Sequence, residues 1–137
     1  GLGKTHLMQA IAWEMRSRSN YGDVPWTELS QLGTPFDLRG YIWGQYRDEL
    51  MIYGMTEYRH MFNRKKPNKR GSMDGRLGFA TWLGVGAIGQ DIGSLPAALP
   101  NGGIGIRLET EKRSNVRVDM GFGVESTAFY VTFYEAF

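Results

Sequence analysis

The chain opens on Gly1-Leu2-Gly3-Lys4-Thr5-His6, residues whose order could hold phosphate. In that chemistry backbone N–H groups and Lys4 cradle the phosphates and Thr5 reaches magnesium. The first glycine of the motif and the strand before it would fall ahead of Gly1. Downstream no apolar strand ends in an acid that could hold the metal water, and strands do not alternate with helices. The same stretch reads as a strand, with Leu7, Ile11, Trp13 and Met15 on one face and Glu14, Arg16 and Arg18 on the other. A P-loop ATPase is therefore kept as the alternative. His6 and His60 stand alone, no Gly-x-Ser-x-Gly elbow occurs, and the chain has no cysteine. No catalytic residue, metal site or cofactor is expected within these residues.

A second element is less familiar. Arg39 lies in Asp37-Leu38-Arg39-Gly40-Tyr41, inside a glycine- and aromatic-rich run, where a surface turn would not need an arginine. A guanidinium withdrawn from water needs carboxylate partners, and its planar fork suits two oxygens at once. The elements that could bring acids to it are strands. Glycine stands at 19 of 137 residues, about twice the usual share of roughly 7%. Hydrophobic residues are 42% and charged residues 22%, which excludes a disordered chain. No apolar run reaches the roughly 18 residues of a membrane-spanning helix, a statement that leaves barrel strands untouched.

Period-two alternation predicts six strands, at about residues 6–18, 49–62, 76–90, 102–111, 115–123 and 127–137. The long loop, residues 19–47, carries Gly22, Pro25, Gly33, Pro35, Gly40 and Gly44, too much punctuation for regular structure. Loops of that length in compact folds are usually functional. In the third strand Leu77, Phe79, Leu83 and Val85 alternate with Gly78, Ala80, Gly84 and Gly86, a glycine face that predicts close approach of another backbone. Asp91 to Asn101 reads as a second loop, with Pro96 and Pro100. Asn63 to Gly75 reads as a polar turn. Its basic residues Arg64, Lys65, Lys66, Lys69 and Arg70 fit a solvated turn better than a nucleic-acid surface, at a net charge of only +2.

One face of the sheet collects Glu57, Arg59, Arg107, Glu109, Arg117 and Asp119, and the opposite face is nearly uncharged. A soluble sheet and an outer-membrane barrel share this alternation, with the apolar face toward a core in one and toward lipid in the other.

The order and spacing of Gly22-Asp23-Val24-Pro25-Trp26, Gln31-Leu32-Gly33, Leu38-Arg39-Gly40-Tyr41, Tyr46-Arg47-Asp48 and Glu57-Tyr58-Arg59 resemble the C-terminal barrel of the BamA/TamA-type bacterial surface antigens. Arg117-Val118-Asp119-Met120-Gly121-Phe122-Gly123 and the closing Glu135-Ala136-Phe137 extend the resemblance, which spans about Leu7 to Phe137 and is nearest to members of Bacteroidetes-like bacteria. It implies an all-β fold, the last six up-and-down strands of an antiparallel transmembrane barrel. It implies a location in the bacterial outer membrane, contact with its lipid, and insertion or export of unfolded outer-membrane or secreted polypeptides without ATP. Periplasmic helper domains upstream and accessory lipoproteins are implied partners. A patatin-like lipase upstream, with the barrel as its anchor, is a further alternative. The chain starts without methionine and is expected to be part of a longer protein.

Carried over by position, Arg39, Gly40 and Tyr41 form the family's loop element, folded into the lumen, and Glu57 matches its wall glutamate. The family's wall aspartate on the next strand has no counterpart in Leu83-Gly84-Val85-Gly86. Asp119, two strands further on and facing the same side, is the expected substitute. Gly78, Gly84 and Gly86 would give the loop room against the wall. Phe129, Val131, Phe133 and Phe137 form the terminal barrel signature, with Glu135 where an aromatic is common.

Overall fold

The computed structural model describes residues 9–62, 76–96, 98–109 and 114–135. The motif Gly1 to His6, the Asn63 to Gly75 turn and Phe137 lie outside the described residues. The protein is all-β. Its main sheet contains β1 (Gln9–Ser19), β4 (Leu50–Met61), β5 (Arg76–Gly89), β6 (Leu99–Glu109), β7 (Ser114–Phe122) and β8 (Thr127–Glu135). They follow one another in the order β1-β4-β5-β6-β7-β8, each pair antiparallel. Apart from the long segment between β1 and β4, the sheet is a meander in chain order. Among the described residues no helix is long and apolar enough to cross a membrane.

Two differences from the sequence expectation concern boundaries. β6 begins at Leu99 rather than residue 102, so Pro100 pairs with Val85 inside the ladder. Proline is tolerated near the start of a strand, where losing one N–H costs a single bond. The loop before it is correspondingly shorter, and its Asp91 closes a 3-10 turn by accepting from Ser94 N at 2.7 Å. The long loop is also not devoid of regular structure. Within it β2 (Ser30–Leu32) and β3 (Tyr46–Asp48) form a two-stranded antiparallel sheet. Three residues carry too little alternation to register against six punctuating Gly and Pro residues.

The loop packs on one face of the main sheet, called here the inner face. Leu32, Leu38 and Tyr41 from the loop form a buried cluster with Met51 and Tyr53 of β4 and Ile88 of β5. Asn20 N donates to Glu49 O at 2.8 Å and closes the base of the loop. Asp37 Oδ1 accepts from Gly33 N at 3.0 Å and Thr34 N at 2.6 Å, bending the chain back toward the sheet.

The outer face is rich in exposed apolar side chains. Ile11, Trp13 and Met15 of β1, Leu83 of β5, Ile104 of β6, and Phe129, Val131 and Phe133 of β8 are all exposed on it. The expected segregation of faces is thus present, with Glu57, Arg59, Arg107, Arg117 and Asp119 all inward.

Candidate functional site

Strand pairing lays the inner-face residues out in rows. One row runs Glu57, Trp82, Gly103, Gly121, Ala128 across β4 to β8. The next runs Arg59, Ala80, Gly105, Asp119, Tyr130. Glu57 and Asp119 therefore stand one row and three strands apart, with Trp82 and two glycines between them. A single side chain placed over that gap can reach both acids.

Arg39 occupies it. Its Nη2 donates to Glu57 Oε2 at 2.6 Å and its Nη1 to Asp119 Oδ2 at 2.7 Å. The guanidinium carbon is 3.5 Å from the centroid of the Trp82 ring. Arg39 and Trp82 are each 1% exposed, Asp119 2% and Glu57 3%. Ion pairs this dry gain from Coulomb attraction only when geometry and hydrogen bonding offset desolvation. Here the cation has a carboxylate at each end of its fork and a π face beneath it.

The backbone of the loop element is held as closely as its side chain. Arg39 O accepts from Asn101 Nδ2 at 2.9 Å. Gly40 N donates to the Tyr130 hydroxyl at 3.1 Å, and the Ser126 hydroxyl donates to Gly40 O. Tyr41 donates its hydroxyl to Pro100 O at 2.6 Å and accepts from Val124 N at 3.4 Å. Burial raises the pKa of that hydroxyl above 10, opposed by the Val124 N–H, so it remains a donor. Gly40 has φ 114°, a conformation L side chains avoid.

Gly121 supplies the close approach. A Cβ there would lie 2.6 Å from Arg39 C and 2.7 Å from Arg39 O. This differs from the expectation for β5. Of Gly78, Gly84 and Gly86 only Gly86 lies against the loop, beneath the Leu38 and Leu32 side chains. Gly78 lies against Met61 and His60 O, and Gly84 against Asn101 and Gly54 O. The closest backbone approach comes two strands further on, where the loop reaches Ser126 of the β7–β8 turn and Tyr130 of β8.

Around the two acids stand three further arginines. Arg59 Nε bonds Glu57 Oε1, and Arg107 Nη1 bonds Asp119 Oδ1. Arg117 donates Nε and Nη2 to Asp119 Oδ2 at 2.8 and 2.7 Å. Sequence reasoning had put these residues on the inner face without assigning them to the acids. It missed Trp82, Asn101, Ser126 and Tyr130. A lone tryptophan on the small-residue face of β5 was the one legible signal among them. Phe129, Val131 and Phe133 point away from the site, on the outer face. No family profile, curated protein or solved structure matches this chain.

Proposed function

We propose that this chain is the terminal part of an outer-membrane β-barrel that inserts or exports polypeptides, of the kind the BamA/TamA-type surface antigens form. The observation that carries the reading is the buried Arg39, fixed by Glu57 and Asp119 beneath a loop folded across the sheet. A loop tied by an internal ion pair is a strut for a barrel wall whose other face meets lipid. The exposed outer face supports it, since contiguous apolar patches beyond a few hundred Å² are rare on water-facing monomers. Facing lipid, those side chains need no other cover, and the strands leave backbone groups unpaired only at the sheet edges. The strut would hold the last strands in register while a client polypeptide pairs or passes. Nothing in this role uses a nucleotide.

The test is made on the full-length protein that carries this chain. Recovery in outer-membrane fractions, with gel mobility that changes on heating, is the expected result. A soluble protein whose mobility is indifferent to heating would overturn the reading.

A further inference from the structure

Beside the Arg39 cluster lies a second feature that the strut does not account for. Among the described residues, Arg39, Arg59, Arg107 and Arg117 pair with the carboxylates of Glu57 and Asp119, four cations against two anions. Arg39 is enclosed, but the other three line a cavity of about 410 Å³ on the inner face, together with Met61, Glu109 and Asn115. That volume is within the range of small-ligand sites, about 300–1,000 Å³. Arg107 Nη2 is buried there with no hydrogen-bond partner among the described residues, and Glu57 Oε1 is 3.8 Å away. The Arg59 side chain is half exposed and can turn its free N–H groups into the cavity.

We infer that this cavity is an oxyanion-binding site, and that its ligand is a carboxylate carried by a polypeptide. All three guanidiniums line one space, and each keeps N–H groups beyond those given to Glu57 and Asp119 that suit carboxylate oxygens. Removing the excess charge relieves the repulsion among guanidiniums that two carboxylates cannot fully screen. Glu109 lowers the excess charge of the cavity and so reduces its pull on a dianion, and the apolar wall beside the arginines is a surface that inorganic phosphate would leave unused. Met61 offers an apolar wall to the methylene stem of an acidic side chain, and Asn115 an amide to its backbone. The oxyanion site stands on these side chains alone. Its polypeptide source rests on the barrel reading, and a titration can fail independently of membrane fractionation.

The experiment is calorimetric titration of the detergent-solubilised full-length protein at low salt. Its probes are a capped glutamate-containing peptide, the matched glutamine peptide, sodium acetate and inorganic phosphate. The glutamate peptide is expected to bind and the glutamine peptide to fail. Arg59→Gln should weaken binding about tenfold, the loss expected for one charge-assisted pair, and the Arg59→Gln/Arg117→Gln double variant should abolish it. Acetate should bind more weakly than the peptide; acetate binding as tightly would remove the polypeptide from the assignment and overturn it. Equal binding of both peptides, no binding at all, or tighter binding of phosphate would also overturn it. The comparison of the two peptides uses unaltered protein, so it stands even where a variant does not fold.

Discussion

The guanidinium of Arg39 lies over the Trp82 indole with its carbon 3.5 Å from the ring centroid, and these are the two largest fully buried side chains among the described residues. The pairing explains why a buried cation is tolerable in this position. Glu57 and Asp119 occupy the two ends of the fork, which leaves the flat face to be covered. An indole covers it with negative π density and excludes water. A smaller residue at position 82 would leave a wet gap or an empty one.

Arg39→Ala removes the shared partner of two buried carboxylates, and breaking such a pair costs about 3–5 kcal/mol. Arg59, Arg107 and Arg117 retain contact with the acids, which places the expected loss at about the lower end of that range. Arg39→Lys should recover less than half of it, because an ammonium cannot reach both acids from two ends or stack on Trp82. Urea unfolding of the full-length protein, followed by heat-dependent gel mobility, measures both. Full recovery by lysine would show that only charge matters here.

Gly121→Ala should release the loop without touching any charged group. The new Cβ would sit 2.6 Å from the Arg39 backbone, so either the loop or β7 must shift. Gly54→Ala is the control, since its Cβ would meet nothing nearer than Glu14 O at 3.9 Å. There alanine should be neutral or stabilising by roughly 0.5–1 kcal/mol. Limited proteolysis between Tyr21 and Trp43 reads the difference: faster cleavage in Gly121→Ala alone is the expected pattern.

Leu83→Arg separates lipid from water on the outer face. Leu83 is 76% exposed near the middle of β5. In water such a substitution changes stability by about 0.5 kcal/mol or less. At the midplane of a bilayer it costs about 2–4 kcal/mol. Folding of the full-length protein into lipid vesicles, compared between the parent and the variant, should show the larger figure. An unchanged folding equilibrium would remove lipid from that face.

What the amino-acid sequence determines by itself is mostly local. Strand identity and the sorting of faces follow from period-two alternation, which needs only neighbours in the chain. Hence Glu57 and Asp119 were legible as acids on one side, and Arg39 as a cation misplaced in a glycine-rich loop. The small β2–β3 sheet and the early start of β6 were not, because three residues or a proline carry a weak or contrary local signal. The convergence on Arg39 belongs to tertiary structure. It requires the register that offsets Glu57 and Asp119 by one row, and a loop that passes over β5 and brings its backbone closest to the sheet at Gly121 of β7. Each depends on contacts between residues distant in sequence, 80 positions apart for Arg39 and Asp119 and 90 for Gly40 and Tyr130. Trp82 shows the limit most plainly: alternation puts it on the inner face, but only the loop's depth makes it the floor beneath a buried guanidinium.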